Sequence, residues 1–244
     1  MVNKKLYENY HKHLRLQKKV IGVNDFTYRN ILSSIDKYIP KYGTVLDIGS
    51  ATGTISFYLA NRGLNVTGLE LSKNAVKYAN LNKSKLHINN VNFINSSIER
   101  YRVTSKYSLI TCFEVLEHIK YDKIILRKIR GAMNKESILA ISVPSKNAPL
   151  YRLGLLRTFD HKVGHLRRYS MVDIEKILLD ANFRIIKKIH SEGVLRNALF
   201  TNRYLGKLIK ITKIKLFNNL ISSADEFLRK LIGESQLILI CVKN

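Results

Sequence analysis

Between residues 44 and 147 the chain alternates short runs of apolar and β-branched residues with longer stretches whose apolar positions recur at helical spacing. The runs at 44–48, 65–69, 91–94, 108–113 and 138–143 predict strands, and the stretches at 54–62, 73–84 and 120–133 predict helices. The first two helices open with a Thr or Ser near the N-cap, residues whose hydroxyls suit that position. Further on, 182–190 and 237–242 predict two more strands, with a helix at 171–180 ahead of the first. Strands alternating with helices in this way build βαβ units on a mostly parallel sheet. Two pieces stand outside the rhythm. Residues 1–43 form an N-terminal helical extension to a domain at 44–244, and residues 194–236 form a basic helical insertion between the last two strands. Within the insertion, Leu205, Leu208, Ile209, Leu216 and Leu220 fall on one α-helical stripe, with Lys207, Lys210, Lys213 and Lys215 outside it. Such a stripe predicts either a packed lid or peripheral contact with an anionic membrane.

Composition narrows the class. Of 244 residues, 45% are apolar and 25% charged, with 12 Gly and 3 Pro, which excludes collagen-like, low-complexity and disordered chains. Lys and Arg number 42 against 18 Asp and Glu, a net charge of +24 that favours anionic partners: nucleic acid, anionic lipid or phosphorylated substrates. The basic residues are spread rather than blocked, so a composition biased toward Lys, Ile and Asn is the competing origin of that charge. Cys112 and Cys241 lie inside apolar runs and belong to no C-x-x-C pair, which argues against a disulfide scaffold or a structural zinc and for two buried, reduced thiols. The start of the chain lacks the apolar stretch of a signal peptide, and no run of about 18 apolar residues occurs, so a cytoplasmic location is expected, peripheral at the membrane if the insertion binds there.

After the first strand comes Asp47-Ile48-Gly49-Ser50-Ala51-Thr52-Gly53, an acid and two glycines where a strand turns into a helix. Open parallel sheets bind ligands beyond the carboxyl ends of their strands, and glycine lets the backbone approach a ligand closely. The spacing is neither the dinucleotide G-x-G-x-x-G nor a P-loop. It resembles motif I, D-x-G-x-G-x-G, of the class I S-adenosylmethionine-dependent methyltransferases, with Ala51 in place of the middle glycine. About twenty residues on, Glu70 ends the second strand, where its two oxygens can accept both hydroxyls of a ribose. Past the third strand, Ser97 stands where the family has an acid that meets the adenine amino group, and Ile98 is placed to pack on the adenine face. Phe113-Glu114-Val115-Leu116-Glu117-His118-Ile119 resembles a segment common in the ubiquinone-biosynthesis-like branch of that superfamily. The resemblance covers roughly residues 40–190. It implies a Rossmann-like seven-stranded, mostly parallel sheet with helices on both faces, and S-adenosylmethionine held by Asp47, Gly49, Ser50, Gly53, Glu70, Leu71, Ser97, Ile98 and Phe113.

At the acceptor end, Glu114, Glu117 and His118 stand at i, i+3, i+4 and on a helical turn would share a face. Two carboxylates and an imidazole suit Mg2+, Mn2+ or iron. The resemblance extends to quinone-ring O-methyltransferases and small-RNA 3′-end 2′-O-methyltransferases, and in the latter a further His completes a metal site; His161 is the expected fourth ligand here. The competing reading leaves Glu117 and His118 as capping and packing groups. The segment 160–169 is the densest polar cluster of the chain and is expected to form a loop over the site. Within it, His161 or His165 is the candidate general base, and Arg167, Arg168 and Tyr169 are candidate substrate contacts. The expected reaction is O-methylation of a small-molecule, lipid-linked or glycan acceptor. The alternative is an RNA 2′-O-methyltransferase with a divalent metal.

Overall fold

The computed structural model describes Glu8 and residues 16–244. Seven strands, β1 (Thr44–Ile48), β2 (Asn65–Glu70), β3 (Val91–Asn95), β4 (Tyr107–Phe113), β5 (Met133–Pro144), β6 (Phe183–Ser191) and β7 (Gln236–Lys243), form one sheet in the order β3-β2-β1-β4-β5-β7-β6. The first five are parallel, and β7 runs antiparallel between β5 and β6. Helices α1 (Arg29–Ile35), α2 (Thr54–Ala60), α3 (Lys73–Lys85), α4 (Asp122–Gly131), α5 (Pro149–Arg152), α6 (Arg157–Val163), α7 (Met171–Asp180), α8 (Val194–Thr201) and α9 (Lys215–Ile232) complete the α elements among the described residues. The extension expected over 1–43 contributes α1 and a 3-10 turn at Asp36–Tyr38; its residues 1–7 and 9–15 lie outside the described part.

Neighbouring residues of a strand face opposite sides, and the core divides accordingly. Leu46, Ile110, Leu139 and Ile141 pack with Leu126 and Ile129 of α4 and Ile174 and Leu178 of α7. Val45, Leu109, Ala140 and Ile240 pack on the other face with Leu32 and Ile35 of α1, Phe57 and Leu59 of α2 and Ala79 of α3. Because β2 and β4 flank β1, the chain leaves the sheet in opposite directions at the carboxyl ends of β1 and β4. That opening is the topological switch point where such sheets bind ligands. No helix among the described residues is long and apolar enough to cross a membrane.

The insertion departs from its expected form. Leu205–Lys213 winds as a 3-10 helix, the chain extends at Ile214 (φ −81°, ψ 119°), and only then does α9 begin. The single α-helical stripe through Leu205, Leu208, Ile209, Leu216 and Leu220 is therefore broken: Ile209 is half-buried while the other four are exposed.

Candidate active site

The turn after β1 is fixed from three sides. Gly49 and Ser50 donate their N–H groups to the Leu69 carbonyl at 2.8 and 2.9 Å. A Cβ on Gly49, whose φ is +76°, would stand 2.4 Å from Val115 Cγ2, so only glycine allows the turn to lie against the segment after β4. Gly53 (φ +89°) caps α2, and a Cβ there would strike Phe93 and Phe57. Glu70 supplies the third restraint: Oε2 accepts the Ala51 N–H at 3.0 Å and Oε1 the Ser72 N–H at 2.8 Å. Beneath the turn Asp47 is buried, accepting from Ser56 Oγ at 2.6 Å and Thr111 Oγ1 at 2.7 Å. Burial pushes its pKa above the usual carboxylate range, and the two hydroxyl bonds oppose that rise. Ser50 Oγ is buried with no hydrogen-bond partner.

A cavity of about 470 Å³ opens at this turn and runs past the end of β4. Of the residues expected at the cofactor, Gly49, Glu70, Leu71, Ser97, Ile98 and Phe113 line it, whereas Asp47, Ser50 and Gly53 do not. The rest of the lining includes Val115 and His118 from the segment after β4, Phe159, Val163 and His165 from α6 and the turn that follows it, and Tyr28. A glycine turn, a strand-end carboxylate and a cavity between them form a cradle that fits a nucleoside-bearing methyl donor.

The acceptor end is organised around Glu117. Its side chain is fully buried in the 3-10 turn Leu116–His118, and neither carboxyl oxygen has a hydrogen-bond partner. Burial, reinforced by the Glu114 charge, pushes its pKa well above the ordinary value. Two imidazoles face it: His118 Nε2 at 3.7 Å and His165 Nε2 at 3.8 Å from Oε1, the two rings 4.9 Å apart between centroids. Each ring is held through its other nitrogen. His118 Nδ1 bonds the Gly164 carbonyl at 3.0 Å and His165 Nδ1 the Asp160 carboxylate at 2.8 Å. Burial lowers the His118 pKa to about 4, with the Gly164 bond opposing and the neighbouring His165 adding to the drop. Asp160 is kept below the usual carboxylate range: burial works against its charge, but hydrogen bonds from His165 and Arg168 outweigh it.

The set of groups that could hold a metal ion differs from the expected one. Glu117, His118 and His165 bring one ligand atom each within 4.8 Å of one another. His161 is exposed on α6, because the left-handed Gly164 that ends this helix turns the chain so that His165 enters the cavity and His161 does not. Glu114 (φ +53°) lines the cavity, but its Oε1 accepts from Ser142 Oγ at 2.7 Å and Gln236 Nε2 at 3.1 Å. The orphaned oxygens of Glu117 and the two anchored imidazoles form a donor set that fits a divalent ion. The segment expected as a loop over 160–169 begins inside α6, and its two arginines have internal partners. Arg168 grips Asp160 at 2.8 and 2.6 Å; Arg167 and Tyr169 meet at Asp122 Oδ2, at 2.6 and 2.8 Å. None of the three lines the cavity. Tyr28, Val115, Phe159 and Val163 escaped the sequence reading because apolar residues in an extension, a turn and a short helix carry no pattern that marks a site.

The strand order with its reversed β7, the glycine turn after β1 and the carboxylate after β2 define a class I methyltransferase fold. Comparison with known proteins bears this out: a methyltransferase-domain family model matches residues 40–170, and the chain belongs to that family. The ubiquinone biosynthesis O-methyltransferase of Rickettsia typhi is 26% identical over 196 residues, 73% of this chain and 77% of that protein. The (S)-tetrahydroprotoberberine N-methyltransferase of Eschscholzia californica is 32% identical over 100 residues, 40% of this chain and 29% of that one. Coclaurine N-methyltransferase bound to N-methylheliamine and SAH shares the fold at a TM-score of 0.64 and 17% identity, over 87% of this chain and 70% of that one. The protein is an S-adenosylmethionine-dependent methyltransferase.

Proposed function

We propose that the protein transfers a methyl group to a hydroxyl oxygen of a small aromatic or lipid-linked acceptor seated at the far end of the cavity. The observation that carries this reading is the buried Glu117 carboxyl, without hydrogen-bond partners, facing His118 and His165, which line the cavity together with Glu114, Tyr28 and the apolar Val115, Phe159 and Val163. Apolar walls suit a ring or prenylated group, and a convergent polar cluster suits one hydroxyl. The ubiquinone biosynthesis O-methyltransferases among the relatives similar to this chain support oxygen as the acceptor atom. S-adenosylmethionine, when bound, supplies an electrophilic methyl carbon; Glu70 would receive its ribose and Ser97 and Ile98 its base.

Glu117, His118 and His165 are the residues that would hold a divalent ion such as Mg2+ or Mn2+. When bound, such an ion would lower the pKa of an acceptor hydroxyl and make it a better nucleophile. The chain's own part is orientation. The Gly164 carbonyl fixes the His118 tautomer, Asp160 fixes that of His165, and Arg168 in turn fixes Asp160. The His165–Asp160 hydrogen bond favours a second reading, in which His165 accepts the hydroxyl proton without a metal.

The test incubates the protein with methyl-labelled S-adenosylmethionine and either a catechol, a total lipid extract or RNA. The expected result is label in the catechol or lipid fraction, abolished by chelator, restored by magnesium or manganese, and lost in His165→Asn. Indifference to chelator with loss in His165→Asn supports the base reading, and label confined to RNA overturns both.

A further inference from the structure

The insertion between β6 and β7 is built inside out. The fully buried residues of α9 are polar, with Ile221 and Leu228 only half-buried beside them: Asn218 donates through Nδ2 to the Asn24 carbonyl at 3.1 Å. Buried Asp225 accepts the N–H groups of Gly193 and Arg196 at 2.7 and 3.0 Å. Leu216, Leu220, Phe227 and Leu231 point outward, each between 63% and 73% exposed. At 3.6 residues per turn these four fall within an arc of about 60°. An ordinary surface helix buries its apolar stripe; this one presents it.

The preceding 3-10 helix repeats the arrangement at a period of three. In that geometry residues i and i+3 eclipse, so Leu205–Lys213 divides into three rows. Gly206, Ile209 and Thr212 form the row that is half-buried or buried. Leu205, Leu208 and Ile211, continued by Ile214, form an exposed apolar row, and Lys207, Lys210 and Lys213 an exposed basic row beside it. The two apolar rows run into one another at Ile214–Leu216. From residue 193 to residue 224 the chain holds six basic residues and no acidic one. Of those six only Arg196 is buried, and Arg203, Lys207, Lys210, Lys213 and Lys215 are exposed.

We infer that this face docks the enzyme on an anionic phospholipid bilayer, with the apolar rows entering the acyl boundary and the lysines resting among phosphate headgroups. The charge complementarity selects the occupant: a second copy of a +24 chain would bring lysine against lysine, whereas an anionic membrane neutralises them. The surface is tied to the acceptor end of the cavity. Arg196 Nη2 donates to the Phe26 carbonyl at 2.6 Å and Asn218 reaches Asn24, bracing the segment that delivers Tyr28 to the cavity wall. The inference deepens the lipid-linked reading of the acceptor, but its test needs no turnover.

The experiment is flotation of the full chain with phosphatidylcholine vesicles, with and without about one-third phosphatidylglycerol. The expected result is binding to the anionic vesicles that falls at least tenfold in Leu216→Ser/Phe227→Ser and, separately, in Lys207→Gln/Lys210→Gln/Lys213→Gln. Calorimetry with S-adenosylmethionine, expected to give wild-type affinity in both variants, shows that they are folded. Absence of wild-type binding to anionic vesicles overturns the inference. So does a lysine variant that alone loses binding to both vesicles and an RNA oligomer, or a leucine variant whose only change is loss of self-association in sedimentation. Methyl transfer to a soluble catechol without vesicle binding would leave the proposed reaction standing and remove the membrane.

Discussion

Glu70 Oε2 accepts the Ala51 N–H at 3.0 Å, so the carboxylate that ends β2 also holds the turn that follows β1. Its other oxygen holds the Ser72 N–H at the start of α3, which places one side chain between two ligand-facing turns. Glu70→Ala should therefore weaken S-adenosylmethionine binding by about 1.5–3 kcal/mol, the range for hydrogen bonds to a charged group. It should also lower the melting temperature of the cofactor-free protein, because two turn amides lose their acceptor. Calorimetry that returned wild-type affinity would remove Glu70 from the cofactor site.

Ala51 adopts φ +47°, in the left-handed region where an L side chain costs about 1–2 kcal/mol. The residue that departs from the family pattern thus sits in a backbone conformation that favours glycine. Ala51→Gly should relieve that strain, offset in part by the greater freedom glycine gives the unfolded chain, for a net stabilisation of up to about 1 kcal/mol. Urea unfolding checks this, and a destabilised Ala51→Gly would mean that the methyl group packs favourably enough to outweigh its backbone.

Most of this scaffold was legible because it rests on local patterns. The runs at 44–48 and 171–180 coincide with β1 and α7, and the other strand cores fall within a residue or two of their observed limits, apart from the amino-terminal end of β5. That strand begins at Met133, opposite Tyr107, rather than at 138; Asn134, Lys135 and Glu136 carry no apolar alternation and fall in the register shift between the Tyr107 and Leu109 pairs. There Ser137 Oγ accepts from the Asn134 N–H and donates to the Tyr107 carbonyl. The site was legible where a strand end fixes it, at Gly49 and Glu70, and illegible where a loop decides it. Which of His161 and His165 enters the cavity depends on the left-handed Gly164, and the insertion's period of three was masked because its leucines also fit an α-helical stripe.

The two thiols give a direct test of the strand order. Cys112 lies opposite Ile141 and Cys241 opposite Leu139, so β5 separates them, and both are buried and unbridged. Burial raises the pKa of each, that of Cys241 to about 12, which keeps them as unreactive thiols. Ellman's reagent should titrate no thiol in the folded protein and two after denaturation; a fast-reacting thiol in the native state would contradict this packing.

The buried charge behind the acceptor wall should make stability depend on pH. Glu192, at φ +52° beside the fully buried Arg196, has its pKa raised to about 7: burial is the main cause, Arg196 opposes it, and Glu114 and Asp225 add to it. A carboxyl whose folded pKa exceeds its unfolded value binds more protons when folded. Its contribution to stability is full below the ordinary carboxylate range and is lost as pH rises through about 7. The side chain keeps 13% exposure and Arg196 Nη2 stays 3.5 Å from Oε1, so the loss is on the order of 1–3 kcal/mol, below what full burial would give. Glu192→Gln holds no titrating proton there, so the wild-type protein should lose stability relative to this variant between pH 5 and pH 8. Urea unfolding of both at unit pH steps reads the difference. A gap that stays constant across that range would mean that Arg196 keeps Glu192 ionised throughout, as a buried ion pair rather than a protonated carboxyl.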